Sequence, residues 1–299
     1  MKNNNNLNNL ENSINKEKNE EILKIYKIIK NYMNVSDEVA KKFDIYMKLL
    51  LEWNNKINLT AITDENNVII KHFVDSCSIL KFLDDNLKVI DVGTGAGFPG
   101  LPLKIVKDSL NITLVDSLNK RINFLNEIKD ELELDGIETV HARAEDIGID
   151  NKYREKYDVA VSRAVAELRV LVEYLLPLVK LGGRVIAMKG PNIDEEIENA
   201  KKAINILGGK IEKIENLKLG DTDNSRTIIV IKKIKNTDYY INKILLFLKI
   251  SSISCKFLSF RIYALLLRRY LREHYCLCNV FKKFSSPKLP VAYCFSSLL

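Results

Sequence analysis

Cysteine, histidine and tryptophan are scarce in this 299-residue chain, at five, three and one residues. Only Cys77 precedes residue 238; Cys255, Cys276, Cys278 and Cys294 crowd the last sixty or so positions. One C-x-C and the single histidine nearby, His274, are too little for a zinc site, so no metal is expected and the thiols read as free in a reducing compartment. An apolar h-region is missing from the start, "MKNNNNLNNLENSINKEKNEE", which excludes a secretory signal and points to the cytoplasm. No uninterrupted apolar run reaches about 18 residues, so a transmembrane helix is not expected either. Positive charge is also lacking where it would matter most: residues 1–237 hold 36 Lys and Arg against 37 Asp and Glu, while ten bases against two acids follow from Asp238. A general grip on phosphate backbones is thereby excluded for the body, and nucleic-acid contact there requires a local basic patch.

What remains is ordinary globular material, 46% apolar and 28% charged. Residues 1–20 read as a disordered, Asn-rich lead. Ser36 followed by Asp37 and Glu38 has the form of a helix N-cap with an acidic first turn. Val39, Phe43, Tyr46, Leu50 and Trp53 then recur at steps of four and three, one apolar face of a helix with Trp53 in the core. Residues 21–33 and "NVIIKHFVDSCSILKFL" make two more helical candidates, so residues 21–84 read as a helical cap. From residue 85 the pattern alternates. Short runs rich in β-formers, "KVIDV", "NITLVD", "ETVHAR", "YDVAVSR" and "GGRVIAMKG", are separated by helical spacing such as Leu118, Ile122, Leu125, Ile128 and Leu132. Strands alternating with helices imply a parallel sheet covered on both faces. The last two strands, "KIEKIENLKL" and "SRTIIVIKKI", have no helix between them and should pair antiparallel at one edge, closing an α/β domain at residue 237.

The segment "DVGTGAGFPG", Asp91–Gly100, places four glycines in ten positions directly after the first strand. Gly95, Gly97 and Gly100 satisfy the dinucleotide fingerprint G-x-G-x-x-G, with Asp116 placed to hold ribose hydroxyls. A nucleoside cofactor such as S-adenosylmethionine needs an acid at the same place, so Asp116 leaves both readings open. Asp91 favours the second: a carboxylate repels a pyrophosphate but suits a sulfonium and an ammonium group. "RAED", Arg143–Asp146, is placed to reach the exocyclic amine of an adenine. Gly93, Gly95 and Gly97 allow close approach, Phe98 supplies an apolar wall, and Pro99 suits the opening of the next helix.

With these motifs stand "WNNKINLTAI", "KHFVDS", "LVDSLNKRINFL", "SRAVA" and "MKG". Together, from about Val35 to Ile234, they resemble the RsmG family, also called glucose-inhibited division protein B, of bacterial ribosomal RNA guanine-N7 methyltransferases. The resemblance implies a class I, Rossmann-like fold with a mostly parallel seven-stranded sheet. It also implies methyl transfer from S-adenosylmethionine to N7 of a guanine in 16S rRNA near the decoding region. By position, the family's cofactor contacts fall on Gly93, Phe98, Ala144, Glu145 and Arg163, beside Asp91, Gly95, Gly97 and Asp116 from the argument above. Asn58, His72, Asp75, Lys189 and Arg226 sit in motifs like the family's substrate face, with Arg163 and Lys189 as donors for the guanine. The partner implied is the small ribosomal subunit or its RNA, and a monomer is favoured.

Plainer readings stand beside these. His72 and Asp75, at i and i+3, have the spacing of a helix-surface pair. Lys189 has the place of a helix-approach cation, a role ranked below substrate contact, and Arg121 reads as a solvated charge. A methyltransferase of another substrate and a non-catalytic binder of RNA or a membrane surface are the rival functions. The family's short basic, proline-containing ending is missing; residues 238–299 form instead a basic, Cys- and Phe-rich tail. A basic amphipathic helix is compatible with it, but translation from another frame explains its abrupt composition better.

Overall fold

The computed structural model describes residues 27–29, 34–219 and 225–238. The Asn-rich lead, the helical candidate at 21–33 apart from residues 27–29, and the tail from residue 239 lie outside the described residues. Helix α1 spans Asp37–Ile57: the Ser36 hydroxyl accepts the Val39 amide at 3.3 Å, and Asn58 closes the helix in the left-handed conformation. Phe43, Tyr46 and Leu50 of the expected stripe are fully buried; Val39 and Trp53 are only partly so. Trp53 is thus a rim residue, tilted against Phe124, with its indole N–H donating to Glu127 at 2.9 Å. A second helical run follows, an α turn at Glu65–Val68, a π-helix at Ile69–Val74 and a further α turn at Asp75–Cys77.

The seven strands are β1 (Lys88–Val92), β2 (Asn111–Asp116), β3 (Ile137–His141), β4 (Tyr157–Arg163), β5 (Val179–Lys189), β6 (Gly209–Lys218) and β7 (Ser225–Lys233). Their order is β3-β2-β1-β4-β5-β7-β6. The first five run parallel, and β7 lies antiparallel between β5 and β6. Runs such as Val89–Val92, Val159–Val161 and Ile228–Ile231 are buried throughout, as a sheet covered on both faces demands. In the helix Asn119–Glu131, Ile122, Leu125 and Ile128 face the sheet, whereas Leu118 is 41% exposed. Leu118 precedes the first helical residue, so the helical period does not govern where it points.

The cap packs on the glycine segment. Phe43 stacks on Phe73 with ring centroids 4.7 Å apart, Tyr46 on Phe73 at 5.2 Å and Tyr46 on Phe98 at 5.6 Å. Fully burying each such ring stabilises the fold by about 1.5–3 kcal/mol. The Tyr46 hydroxyl donates to the carbonyl of Ala96, so the first helix of the cap holds the loop after β1 by its backbone.

Candidate active site

The strand order reverses between β1 and β4, and sheets of this kind bind ligands outside the carboxyl ends of the strands at such a switch point. Ser162 at the end of β4 ties that strand to β1 by donating to the carbonyl of Val92 at 2.8 Å. Asp91 is fully buried beneath the glycine loop. Its Oδ2 accepts from the Thr94 hydroxyl at 2.7 Å and from the Gly100 amide at 2.8 Å, folding the loop back onto β1. Its Oδ1 has no hydrogen-bond partner. Burial pushes the carboxyl up to about 6, against the pull of those two donors and of Arg163.

Gly93, Gly95 and Gly97 all have positive φ. A Cβ on Gly97 would stand 2.4 Å from Leu101 and 2.7 Å from the Tyr46 hydroxyl, so that position is filled by the protein itself. A Cβ on Gly95, at φ +63°, would meet nothing within 4 Å, so Gly95 is the glycine that faces the opening. Beside Gly93 stands Val165, 38% exposed. Asp116 at the end of β2 is buried and takes the Gly95 amide at 3.0 Å and the Leu118 amide at 2.9 Å. It also pairs with Arg121 at 3.2 Å, which corrects the reading of Arg121 as a solvated charge. The expectation missed it because the partner lies five residues back, off the end of the helix. Ala144 opens a short helix, Ala144–Ile147, after β3, and the Glu145 carboxylate there accepts the Tyr174 hydroxyl at 2.9 Å.

A second cluster joins the cap to the sheet. Arg163, at the end of β4, donates from Nη1 to Asp75 Oδ2 and to the Lys71 carbonyl, both at 3.1 Å. Its guanidinium carbon lies 4.9 Å from the Phe98 ring centre, and its Nη2 lies 3.2 Å from His72 Nδ1. The same Asp75 oxygen accepts Arg226 Nε, from the start of β7, at 3.1 Å. His72 stacks on Phe98 at 4.5 Å. Burial, then the neighbouring Arg163, holds the imidazole down to about 3, so it is neutral at physiological pH. Hence His72 and Asp75 are not a helix-surface pair: Asp75 is 1% exposed, and both side chains turn inward to one arginine. Phe98, 6% exposed, supports that arginine and histidine from below rather than standing as an open wall.

The remaining expected residues are placed apart from these clusters. Lys189 bridges to Glu196 on the helix Asp194–Ile206 and donates to the Ala166 carbonyl, the helix-approach role ranked second from the sequence. Asn58 is an exposed helix cap. Sequence reasoning placed Tyr46 only on the apolar face of its helix and did not single out Thr60, Thr94 or Glu196. Thr60 lay inside the quoted motif "WNNKINLTAI" but carried no chemical signal of its own. Among the described residues no cluster of three His, Cys, Asp or Glu could hold a metal, and no helix is long and apolar enough to cross a membrane.

The donor set fits a cationic nucleoside cofactor. The unpartnered carboxylate oxygen at Asp91 suits a cation better than a pyrophosphate, the open turn at Gly95 and the acid at Asp116 serve either, and the antiparallel β6–β7 end is not a further crossover. A sheet of this order with this loop defines a class I, Rossmann-like S-adenosylmethionine-dependent methyltransferase. The family model described as rRNA small subunit methyltransferase G, GidB, matches residues 39–228. Proteins named ribosomal RNA small subunit methyltransferase G are similar to this chain. That of Acetivibrio thermocellus is 57% identical over 206 residues, 69% of this chain and 85% of that protein. That of Desulforamulus reducens is 52% identical over 68% of this chain and 86% of its own. The chain belongs to the rRNA small subunit methyltransferase G family.

Proposed function

We propose that this chain methylates N7 of a guanine in 16S rRNA, using S-adenosylmethionine, and works in the cytoplasm as a monomer on the small ribosomal subunit or its RNA. The observation that carries the reading is the open turn at Gly95, tied to Asp116, in a loop whose Phe98 lies under Arg163 of the Arg163–Asp75–Arg226 cluster, in a member of this family. Gly93, Gly95, Gly97, Asp91, Asp116, Ala144, Glu145 and Arg163 hold the cofactor. Bound S-adenosylmethionine supplies a methyl group on a cationic sulfonium.

The protein's own contribution is placement. Guanine N7 has an in-plane lone pair and no proton to lose, so no general base is needed, and the neutral, stacked His72 is not asked to be one. Positioning and fixed charge then supply the rate. Asp91 and Asp116 put negative charge beside the loop. Arg226, the more exposed of the two arginines that share Asp75, has Nε on Asp75 and Nη1 on the Ser225 carbonyl, leaving Nη2 without a partner among the described residues. That donor suits guanine O6, an acceptor beside N7. The base must be single-stranded or flipped out for the cleft to reach it.

The test is transfer of labelled methyl from S-adenosylmethionine to small-subunit RNA and to 30S particles lacking the modification, with the label mapped to the base. Label on one guanine N7 is expected. Cofactor binding without transfer to either RNA substrate would overturn the substrate and leave a methyltransferase of something else; neither binding nor transfer would favour a non-catalytic binder.

A further inference from the structure

We propose that Thr60 is a positioning residue for the cleft: its hydroxyl oxygen accepts the Nε2 proton of His72 and so holds the ring in the one neutral tautomer whose bare Nδ1 can accept from Arg163. The hydroxyl meets both the Ile62 amide and His72, and the His72 contact is polar on both sides. His72 Nε2 lies 2.8 Å from Thr60 Oγ1, and Nδ1 lies 3.2 Å from Arg163 Nη2. A guanidinium has only donors, so the nitrogen facing Arg163 must be bare. In a neutral ring the single proton then sits on Nε2, pointing at Thr60.

The other two states fail on the same distances. A proton on Nδ1 would set an imidazole N–H against a guanidinium N–H at 3.2 Å. A doubly protonated ring would add a cation beside Arg163 in a buried site, where Asp75, the acid paired with that arginine, already serves two arginines. Thr60 is itself fixed before it fixes His72. Its amide donates to Asn54 Oδ1 at 2.8 Å on the first helix, and its hydroxyl oxygen also accepts the Ile62 amide at 3.0 Å. The chain of contacts therefore runs from the first helix through Thr60 and His72 to Arg163, which lies over Phe98 at the end of the glycine loop. A threonine in a connecting segment thus helps Asp75 and the Lys71 carbonyl to direct the arginine proposed to meet the cofactor. This deepens the proposed function and rests on it only for the effect on binding and turnover; the tautomer belongs to the protein alone.

The measurement uses the full chain labelled with ¹⁵N-histidine. With three histidines in the sequence, the His72 ring signals are assigned by their loss in His72→Gln. Two-bond ¹H–¹⁵N correlations should show a protonated Nε2 and a bare Nδ1. Thr60→Val removes the acceptor: Nδ1 stays bare against Arg163, but the Nε2–H signal should shift and exchange faster with water, with cofactor binding by calorimetry weakened roughly threefold to tenfold, the worth of one hydrogen bond. Thr60→Ser should restore both. A wild-type His72 carrying its proton on Nδ1 would overturn the inference, as would Thr60→Val leaving the ring signals unchanged. Should the valine variant not fold, the wild-type pattern and its retention in Thr60→Ser still decide. Because the ring is read without RNA, absent methyl transfer by a wild type showing the expected tautomer would remove the proposed function while supporting the role of Thr60.

Discussion

Asp91→Asn separates what the buried acid costs the fold from what it gives the cleft. Asp91 sits at about 6 in the folded chain, against an ordinary value near 3.8, because burial outweighs its two donors. A carboxyl raised on folding favours the protonated folded state, so its contribution to stability is most favourable at low pH. That contribution is lost as pH climbs from about 3.8 to about 6. At about 1.4 kcal/mol per pH unit the full loss is about 3 kcal/mol, and roughly half of it develops between pH 5 and pH 8. Asparagine does not titrate, while its carbonyl oxygen can still accept from Thr94 and Gly100. The partnerless Oδ1 becomes a partnerless amide group, a penalty of about 1–3 kcal/mol that does not change with pH. The difference between variant and wild type in urea unfolding should therefore move in the variant's favour by about 1.5 kcal/mol from pH 5 to pH 8, whatever its value at either end. Cofactor affinity at pH 8 should fall at the same time, since the negative charge is gone. A stability difference that stays constant with pH, or moves toward the wild type, would refute the account of Asp91 as a strained buried acid.

The glycine loop gives a paired contrast: Gly95→Ala costs about 1–2 kcal/mol for its left-handed backbone and chiefly weakens cofactor binding, whereas Gly97→Ala adds about 1–3 kcal/mol of overlap with Leu101 and Tyr46. Thermal melts beside cofactor titrations distinguish the two. Asp75→Asn removes the one charge facing two partly buried guanidiniums and should cost about 3–5 kcal/mol in chemical denaturation, with transfer falling further than cofactor binding because Arg226 is released too. Lys189→Met and Glu196→Gln should lower stability by similar amounts, about 1–3 kcal/mol, and lower transfer in parallel, because they break one bridge from opposite ends. Transfer lost in Lys189→Met but kept in Glu196→Gln would return Lys189 to contact with the guanine.

Strands β1, β2 and β4 matched their sequence runs residue for residue, because local period and β-branched content decide where a buried parallel strand begins and ends. The glycine loop and the acids ending β1 and β2 were legible for a similar reason: a turn that excludes side chains leaves glycines in one short stretch. Charge partners were not. Asp75 and Arg226 are 151 positions apart, and Lys189 and Glu196 meet only because the chain bends back after β5. His72 and Asp75 carried the spacing of a surface pair, and only Arg163, at the end of the central strand β4, turns that spacing into a buried site.

The cap packs into the glycine loop rather than merely adjoining it. Gly97 cannot carry a side chain because Tyr46 of the first helix already stands where a Cβ would go, and the same tyrosine hydroxyl holds the Ala96 carbonyl. Phe98, the residue that ends the loop, lies within stacking distance of Tyr46 and His72, both contributed by the cap. Asp75, also from the cap, neutralises arginines from two strands that are not neighbours, β4 and β7. The loop proposed to approach the cofactor and the arginines beside it are therefore shaped by the same two helical segments. A change in the seating of the cap moves both sides of the cleft together, which is the arrangement expected where one reaction must align two bound partners in a single line.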